Sequence, residues 1–125
     1  MKFIELFRNW DDVVEFDAGA VIFAERDPAD VMYVVISGEV ELTLRGEPLG
    51  AECGGGIFGE MAMINSATRS ATATALTRVS LARLDRDQFS RFIKENSDFS
   101  LHVMAVLANR LRAVDKYITT KMIGN

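Results

Sequence analysis

Hydrophobic residues change their spacing twice along this chain. Near the N-terminus, Phe3, Phe7 and Trp10 recur at the interval of one face of an α-helix. Short apolar runs separated by turn residues follow, and helical spacing returns in the last third of the chain. The pattern predicts one compact domain in three parts, with an N-terminal helix over 1–12, a β-rich body over 13–84 and C-terminal helices over 85–122.

The β-rich body reads as a series of short strands. Val40, Leu42 and Leu44 alternate with polar residues, as expected of a strand that is buried on one face. Residues 46–48 are interpreted as a turn, and the glycines at 54–56 allow a tight or left-handed backbone. Many short strands favour a mainly β fold, a β-roll or jelly-roll barrel (double-stranded β-helix) with flanking α-helices. Other strands are predicted over 13–16, 20–23, 31–36, 71–77 and 79–84.

Two helices are predicted after the β-rich body. Asp85 is a suitable N-cap, and Gln88 can reach back to it. The pattern breaks at 96–97, and a long second helix is expected from about Asp98 to Met122. Its apolar residues form a narrow seam that either packs onto the β-roll or makes a homodimer contact, and the pattern leaves both open. The seam consists of Met104, Leu107, Leu111, Val114 and Ile118.

Composition narrows the classes of function. The chain has 125 residues, 49% of them hydrophobic, which is enough for one domain with a core. Its formal net charge of −4 argues against broad binding to nucleic acid or to anionic membranes, because such proteins usually carry a basic surface. The single cysteine, Cys53, cannot form an internal disulfide, and no secretion signal or membrane-spanning run is evident. A cytoplasmic protein is therefore expected.

Catalytic and metal sites are not expected. His102 is the only histidine, and it lacks the partners that a metal site or a serine hydrolase would need. The glycines at 54–56 lack the lysine of a nucleoside-triphosphate-binding loop. The chain is therefore predicted not to be an enzyme, and to hold no metal and no cofactor other than a ligand.

The segment Phe58–Ala75, FGEMAMINSATRSATATA, carries residues suited to an anionic ligand. Gly59 has no Cβ, so a ligand can approach the backbone closely. The turn of helix predicted after it offers unpaired amide groups at its positive end, and Arg69 adds a charged fork that matches two phosphate oxygens. A phosphate would repel Glu60, so this residue needs a separate role. Accepting a hydrogen bond from a ribose 2′-hydroxyl provides one.

This segment resembles the phosphate-binding cassette of the cyclic nucleotide-binding domain family. The resemblance extends over essentially the whole chain, with supporting matches at Gly19 in DAGAVIF and Gly38 in ISGEVEL. The chain departs from the family at Arg26, where glycine is usual, and at Gly54 and Gly56, which replace the usual proline and aspartate. These departures lie in turns, so they affect loop shape more than the binding residues.

The resemblance implies roles for the residues of the cassette, which spans 58–71. Glu60 would bind the ribose and Arg69 the cyclic phosphate. The remaining cassette residues would supply backbone and side-chain contacts around these two. The predicted ligand-binding residues are Phe58, Gly59, Glu60, Met61, Ala62, Arg69, Ser70 and Ala71.

The same resemblance implies a sensor or regulatory domain for cAMP or cGMP, in which the C-terminal helices move against the roll to cap the base. Residues 111–119 are candidates for this lid, and Asp115 is a candidate acceptor for an amino group of either base. The sequence does not identify the base, and cAMP is favoured as the commoner messenger in the family. Two alternatives stay open: an interaction module that binds no nucleotide, and the sensor fragment of a larger transcription regulator or channel. The effector protein is not predicted, and no direct contact with nucleic acid or membrane is expected.

Overall fold

The computed structural model describes residue 5 and residues 7–64 and 68–123, with the side chains in these ranges except those of 114, 117 and 120–123. The described chain folds into two β-sheets flanked by helices. Its elements are β1 (Val13–Phe16), β2 (Val21–Phe23), β3 (Val31–Ser37), β4 (Val40–Leu44), β5 (Glu47–Glu52), β6 (Ile57–Phe58), α1 (Met61–Ile64), β7 (Thr72–Ala75), β8 (Val79–Asp85), α2 (Arg86–Glu95) and α3 (Ser97–Ile123).

The two sheets are each four-stranded and antiparallel, in the orders β1-β8-β3-β6 and β2-β7-β4-β5. Strands that pair are mostly distant in sequence, as where Val13 of β1 lies opposite Ala82 of β8. The mainly β roll with flanking helices is therefore confirmed. The barrel description is not, because the described strands form two separate sheets rather than one closed ring.

Strand β3 lies between two hydrophobic clusters and is buried on both faces. Met32 and Val34 contribute to a cluster that the helices cover, while Tyr33 and Val35 contribute to a cluster between the sheets. This position explains why β3 reads as a continuous apolar run, whereas β4 alternates. Packing on both sides makes β3 the strand that connects the helical layer to the site described below.

The turn predicted at 46–48 is displaced in the structure. The turn residues are Arg45 and Gly46, both with positive φ (52° and 81°), as in a two-residue hairpin loop. Glu47 and Pro48 already belong to β5, which the sequence pattern missed together with the short β6. A proline is tolerated in β5 because this strand lies at the edge of its sheet, where one backbone donor is not needed for pairing.

The N-terminal helix predicted over 1–12 falls largely on residues 1–4 and 6, which lie outside the described part of the chain. Phe7 is described and fully buried, and its ring stacks on Phe92 of α2. Helix α2 begins as predicted, since the Asp85 carboxylate accepts from the Gln88 amide and the Gln88 side chain accepts from the Asp85 amide.

Helix α3 packs through a different face from the predicted seam. Phe99, Val103 and Val106 are buried against the body. Of the seam, Leu107 is partly buried, while the side chain of Val114 lies outside the described residues. The other three seam residues (Met104, Leu111 and Ile118) are exposed, so the interpretation that they pack onto the β-roll is wrong. Neither α3 nor any other helix in the described ranges is long and apolar enough to cross a bilayer.

Candidate functional site

A cavity of about 360 Å³ opens between the cassette, the second sheet and α3. Its volume is in the range of small-molecule sites. Leucines form the sheet wall, and α3 closes the opposite side. The lining residues are Phe23, Leu42, Leu44, Leu49, Gly59, Glu60, Met61, Ala62, Thr68, Arg69, Ser70, Ala71, Leu107, Arg110 and Leu111.

Glu60 lies at the start of the cassette helix and is buried, with 2% of its surface exposed. Burial raises the pKa of its carboxyl group, although Arg110 and the backbone amides of Glu60 and Met61 oppose the shift. Within the described residues, its Oε1 atom has no hydrogen-bond partner. A buried acceptor of this kind costs free energy until a donor reaches it, so the cavity suits a ligand that brings a hydroxyl or amino group.

Arg69 is a buried cation whose guanidinium lies 4.1 Å from the centroid of the Phe23 ring. Its Nη1 donates to the Gly59 carbonyl over a long 3.4 Å, and its Nε has no acceptor among the described residues. Desolvation lowers its pKa, although nearby groups, Tyr33 first among them, oppose the shift. No carboxylate in the described ranges comes within ion-pair distance of it. A ligand anion would supply the missing counter-charge.

Gly59 directly precedes Glu60 and lies against the guanidinium of Arg69, and it needs to be a glycine for two reasons. Its φ of 76° lies in the left-handed region that favours glycine. A Cβ at this position would lie 2.8 Å from Nη1 of Arg69 and would displace the guanidinium. The residue therefore lets the carboxylate and the guanidinium line one cavity.

The turn between β2 and β3 holds the backbone of Arg69 in place. The amide of Arg26 donates to the Arg69 carbonyl, and the amide of Arg69 donates to the Asp27 carbonyl, both at 2.8 Å. Arg26 adopts a φ of 73°, which explains why glycine suits this position better. The departure from the family pattern therefore adds strain to the turn but leaves both hydrogen bonds to the cassette intact.

Arg110 of α3 is a site residue that the sequence pattern missed. Its Nη2 donates to the Ile57 carbonyl at 3.0 Å, and its guanidinium lies 3.6 Å from the carboxylates of both Glu52 and Glu60. The predicted lid began at 111, whereas the cavity is lined by Leu107, Arg110 and Leu111. In the sequence, Arg110 is a charged residue whose neighbours on the same helix face are apolar. No motif showed which positions of the helix would reach the cavity.

Most of the predicted cassette residues line the cavity. Phe58 does not line the cavity; it is fully buried and its ring stacks on Tyr33 at 5.1 Å. The other seven predicted residues do line it, although their contact with a ligand stays a prediction. They are Gly59, Glu60, Met61, Ala62, Arg69, Ser70 and Ala71.

Known proteins resemble this chain in sequence and in fold. A CRP-like cAMP-activated global transcriptional regulator from Mycobacterium tuberculosis is 34% identical over 105 residues, which cover 79% of this chain and 46% of that protein. The catabolite activator protein of Thermus thermophilus has a similar structure with a TM-score of 0.74 and 28% identity, over 97% of this chain and 59% of that one. The cAMP-bound form of the EAL enzyme Bd1971 has a TM-score of 0.61 and 33% identity, over 90% of this chain and 32% of that one.

The chain therefore spans about half the length of its mycobacterial relative. The family model for the cyclic nucleotide-binding domain matches residues 13–96, which include both sheets, the cassette and α2. The match covers the elements that build the cavity except α3. This chain belongs to the cyclic nucleotide-binding domain family.

Proposed function

We propose that this chain is a regulatory sensor domain that binds a cyclic nucleotide in the cavity between its cassette and α3. The proposal depends on one observation: Glu60 and Arg69 are both buried, line the same cavity and each carry a polar atom without a partner among the described residues. A nucleotide with a cyclic phosphate and a ribose hydroxyl satisfies both, because it brings an anion and a hydrogen-bond donor on one rigid ring system.

The mode of binding follows from the walls of the cavity. The phosphate accepts from Arg69 and from Ser70 beside it, while the ribose 2′-hydroxyl donates to the carboxylate of Glu60. The base then lies against the leucines of β4 and β5 and against Leu107 and Leu111 of α3. Burial of the base between these surfaces draws α3 toward the cassette. This closure acts as a switch only if the ligand prefers the closed state, since equal affinity for both states would shift nothing.

We infer a preference for cAMP over cGMP, supported by the cAMP-activated relative in Mycobacterium tuberculosis. Calorimetric and thermal-unfolding titrations with cAMP, cGMP and 5′-AMP test this function. Both cyclic nucleotides should raise the unfolding midpoint, cAMP more than cGMP, with a gain of about 2.7 kcal/mol at a hundred times the dissociation constant. 5′-AMP lacks the ring phosphodiester and serves as the control. Equal, weak effects of all three nucleotides would rule out a cyclic nucleotide sensor.

The domain would act through a longer protein or a partner. The EAL enzyme that resembles this chain indicates that such a domain accompanies catalytic regions, and we propose that this chain supplies regulation and no catalysis. Its one cysteine, Cys53, is exposed and unpaired, which supports a reducing, cytoplasmic location. The effector and any DNA-binding region would belong to the rest of the assembly.

We also propose that the exposed face of α3 pairs with a second copy of the chain. Leu101, Met104, Leu111 and Ile118 are 61%, 56%, 71% and 48% exposed. Their spacing of three and seven residues places them on one narrow stripe, as in the seam of a coiled coil. Pairing along this stripe would remove these side chains from water, at about 25 cal/mol per Å².

Met104→Glu should weaken this dimer about 10-fold or more, because a charge would enter an apolar contact in both copies. Sedimentation velocity across a concentration series measures the effect. Met104 does not line the cavity, so cyclic nucleotide affinity at a single protein concentration reports whether the fold is intact. Leu76→Glu, at an exposed leucine outside α3, is the matched control. A monomeric wild-type chain at all concentrations would contradict the pairing.

A further inference from the structure

Glu52 lies at the end of β5 and faces the same arginine as the cassette glutamate. Its side chain is 18% exposed, and its Oε1 lies 3.6 Å from Nη2 of Arg110. Oε1 of Glu60 lies 3.6 Å from Nε of the same guanidinium. Two largely buried carboxylates therefore share one cation, and Glu52 does not itself line the cavity.

Arg110 forms a long ion pair with each acid and a shorter contact with the backbone. Its Nη2 makes a hydrogen bond of 3.0 Å to the Ile57 carbonyl, whereas both carboxylates lie beyond hydrogen-bond distance at 3.6 Å. The backbone carbonyl thus anchors the guanidinium while the two acids attract it in different directions. Oε1 of Glu60 has no hydrogen-bond partner among the described residues.

We propose that Glu52 is a positioning residue of the nucleotide site: by competing for Arg110, it holds this arginine off Glu60 and keeps the Glu60 carboxylate open for the ribose hydroxyl. The ligand half of this inference depends on the proposed function, while the competition for Arg110 does not. Without Glu52, Arg110 would pair with Glu60 alone. Arg110, the α3 side chain that faces the cassette, would then be held in place by Glu60 of the cassette.

The competition between Glu52 and Glu60 for Arg110 should change the pKa of Glu60 in a direction that can be measured. Burial raises the pKa of Glu52. Arg110 opposes this rise through its charge and its side-chain contact, and the charge of Glu60 adds to it. Burial also raises the pKa of Glu60 against the opposing charges of Arg110 and Arg69. The ionisable groups that face Glu60 are therefore Arg110 from α3, Arg69 from the cassette and Glu52 from β5. Removing the charge of Glu52 removes a like charge and gives Arg110 to Glu60, and both changes lower the pKa of Glu60.

The first experiment follows the carboxyl carbon of Glu60 by NMR as a function of pH in the ligand-free protein. In Glu52→Gln, its titration should move to lower pH by at least about half a unit. Arg110→Gln should move it to higher pH, because the carboxylate loses its cation. Glu39→Gln removes the same charge from an exposed turn and should leave the titration unchanged. Glu52→Asp, which withdraws the carboxylate by one methylene, should give a smaller shift in the same direction and replaces Glu52→Gln if that variant does not fold.

The second experiment measures the affinity for cAMP across the same pH range. Wild-type affinity should fall as pH decreases through the pKa of Glu60. In Glu52→Gln this fall should occur at lower pH, and at neutral pH the affinity should be weaker than that of wild type, because Arg110 then occupies the Glu60 carboxylate. A Glu60 titration that is unchanged, or that moves to higher pH, in Glu52→Gln would overturn the competition. A shifted titration with an unshifted affinity profile would overturn the role in ligand binding. A shifted titration in a protein that binds no cyclic nucleotide would leave the competition intact and refute the proposed function instead.

Discussion

Arg69→Ala is expected to weaken cyclic nucleotide binding by about 2–4 kcal/mol, a factor of roughly 30 to 800 in the dissociation constant. The reason is that Arg69 is the buried cation of the cavity, without a carboxylate partner among the described residues, and its Nε has no acceptor there. A ligand phosphate would supply two charge-assisted hydrogen bonds at once. The substitution deletes both and leaves the phosphate without the cation that the cassette provides.

Isothermal calorimetry with cAMP measures this effect, and two further variants make it specific. Arg69→Lys keeps the charge but loses the planar fork, so its affinity should lie between those of wild type and Arg69→Ala. Arg78→Ala removes an exposed arginine that pairs with Glu15 and Asp17 on the surface, and should leave affinity unchanged. If Arg69→Ala binds as tightly as Arg78→Ala, the phosphate does not bind where we place it.

Glu60→Ala is expected to weaken binding as well, and above all to erase the preference for a ribose over a 2′-deoxyribose ligand. A hydrogen bond to a charged group contributes about 1.5–3 kcal/mol, so wild type should favour cAMP over 2′-deoxy-cAMP by roughly 10- to 150-fold. The variant should bind the two ligands almost equally. The Glu60 carboxylate lines the cavity and is the acceptor that this preference requires.

Competition calorimetry with the two ligands gives the ratio directly. Glu39→Ala, at an exposed turn, is the matched control and should keep the wild-type ratio. Loss of the fold is not expected to confuse the result. Burial raises the pKa of Glu60, so the ionised carboxylate lowers stability at neutral pH rather than adding to it. An unchanged ratio, with affinity for both ligands reduced alike, would show that Glu60 acts on something other than the 2′-hydroxyl.

Several elements of this protein could be predicted from side chains that lie close together in the sequence. The alternation in β4 and the capping pair at Asp85 and Gln88 depend on residues within a few positions of one another, and both appear in the structure. Edge strand β5 was missed because Pro48 signals a turn unless its position in the sheet is known. The cassette was located because Gly59, Glu60 and Arg69 lie within eleven residues of sequence.

The sequence did not determine which face of helix α3 packs against the body of the domain. Its apolar residues lie on two faces, one with Phe99 and Val103 and one with Met104 and Leu111, and periodicity identifies a helix without telling which face meets the body. Packing decided that the first face is buried. The role of Arg110 was hidden for the same reason, since its partners on β5, β6 and the cassette are some fifty residues away.

The amino-acid sequence by itself determined the type of most elements, the position of the cassette, and the carboxylate of Glu60 and the guanidinium of Arg69 that line the cavity. These features follow from side chains close together in the chain. Only the tertiary structure decided that Glu60 and Arg69 share one cavity, each with a polar atom that has no partner among the described residues. It also decided that Arg110 lies between two acids and that a stripe of α3 stays exposed. Those features arise where segments distant in sequence compete for the same space and charge, and such competition leaves no periodic trace along the chain.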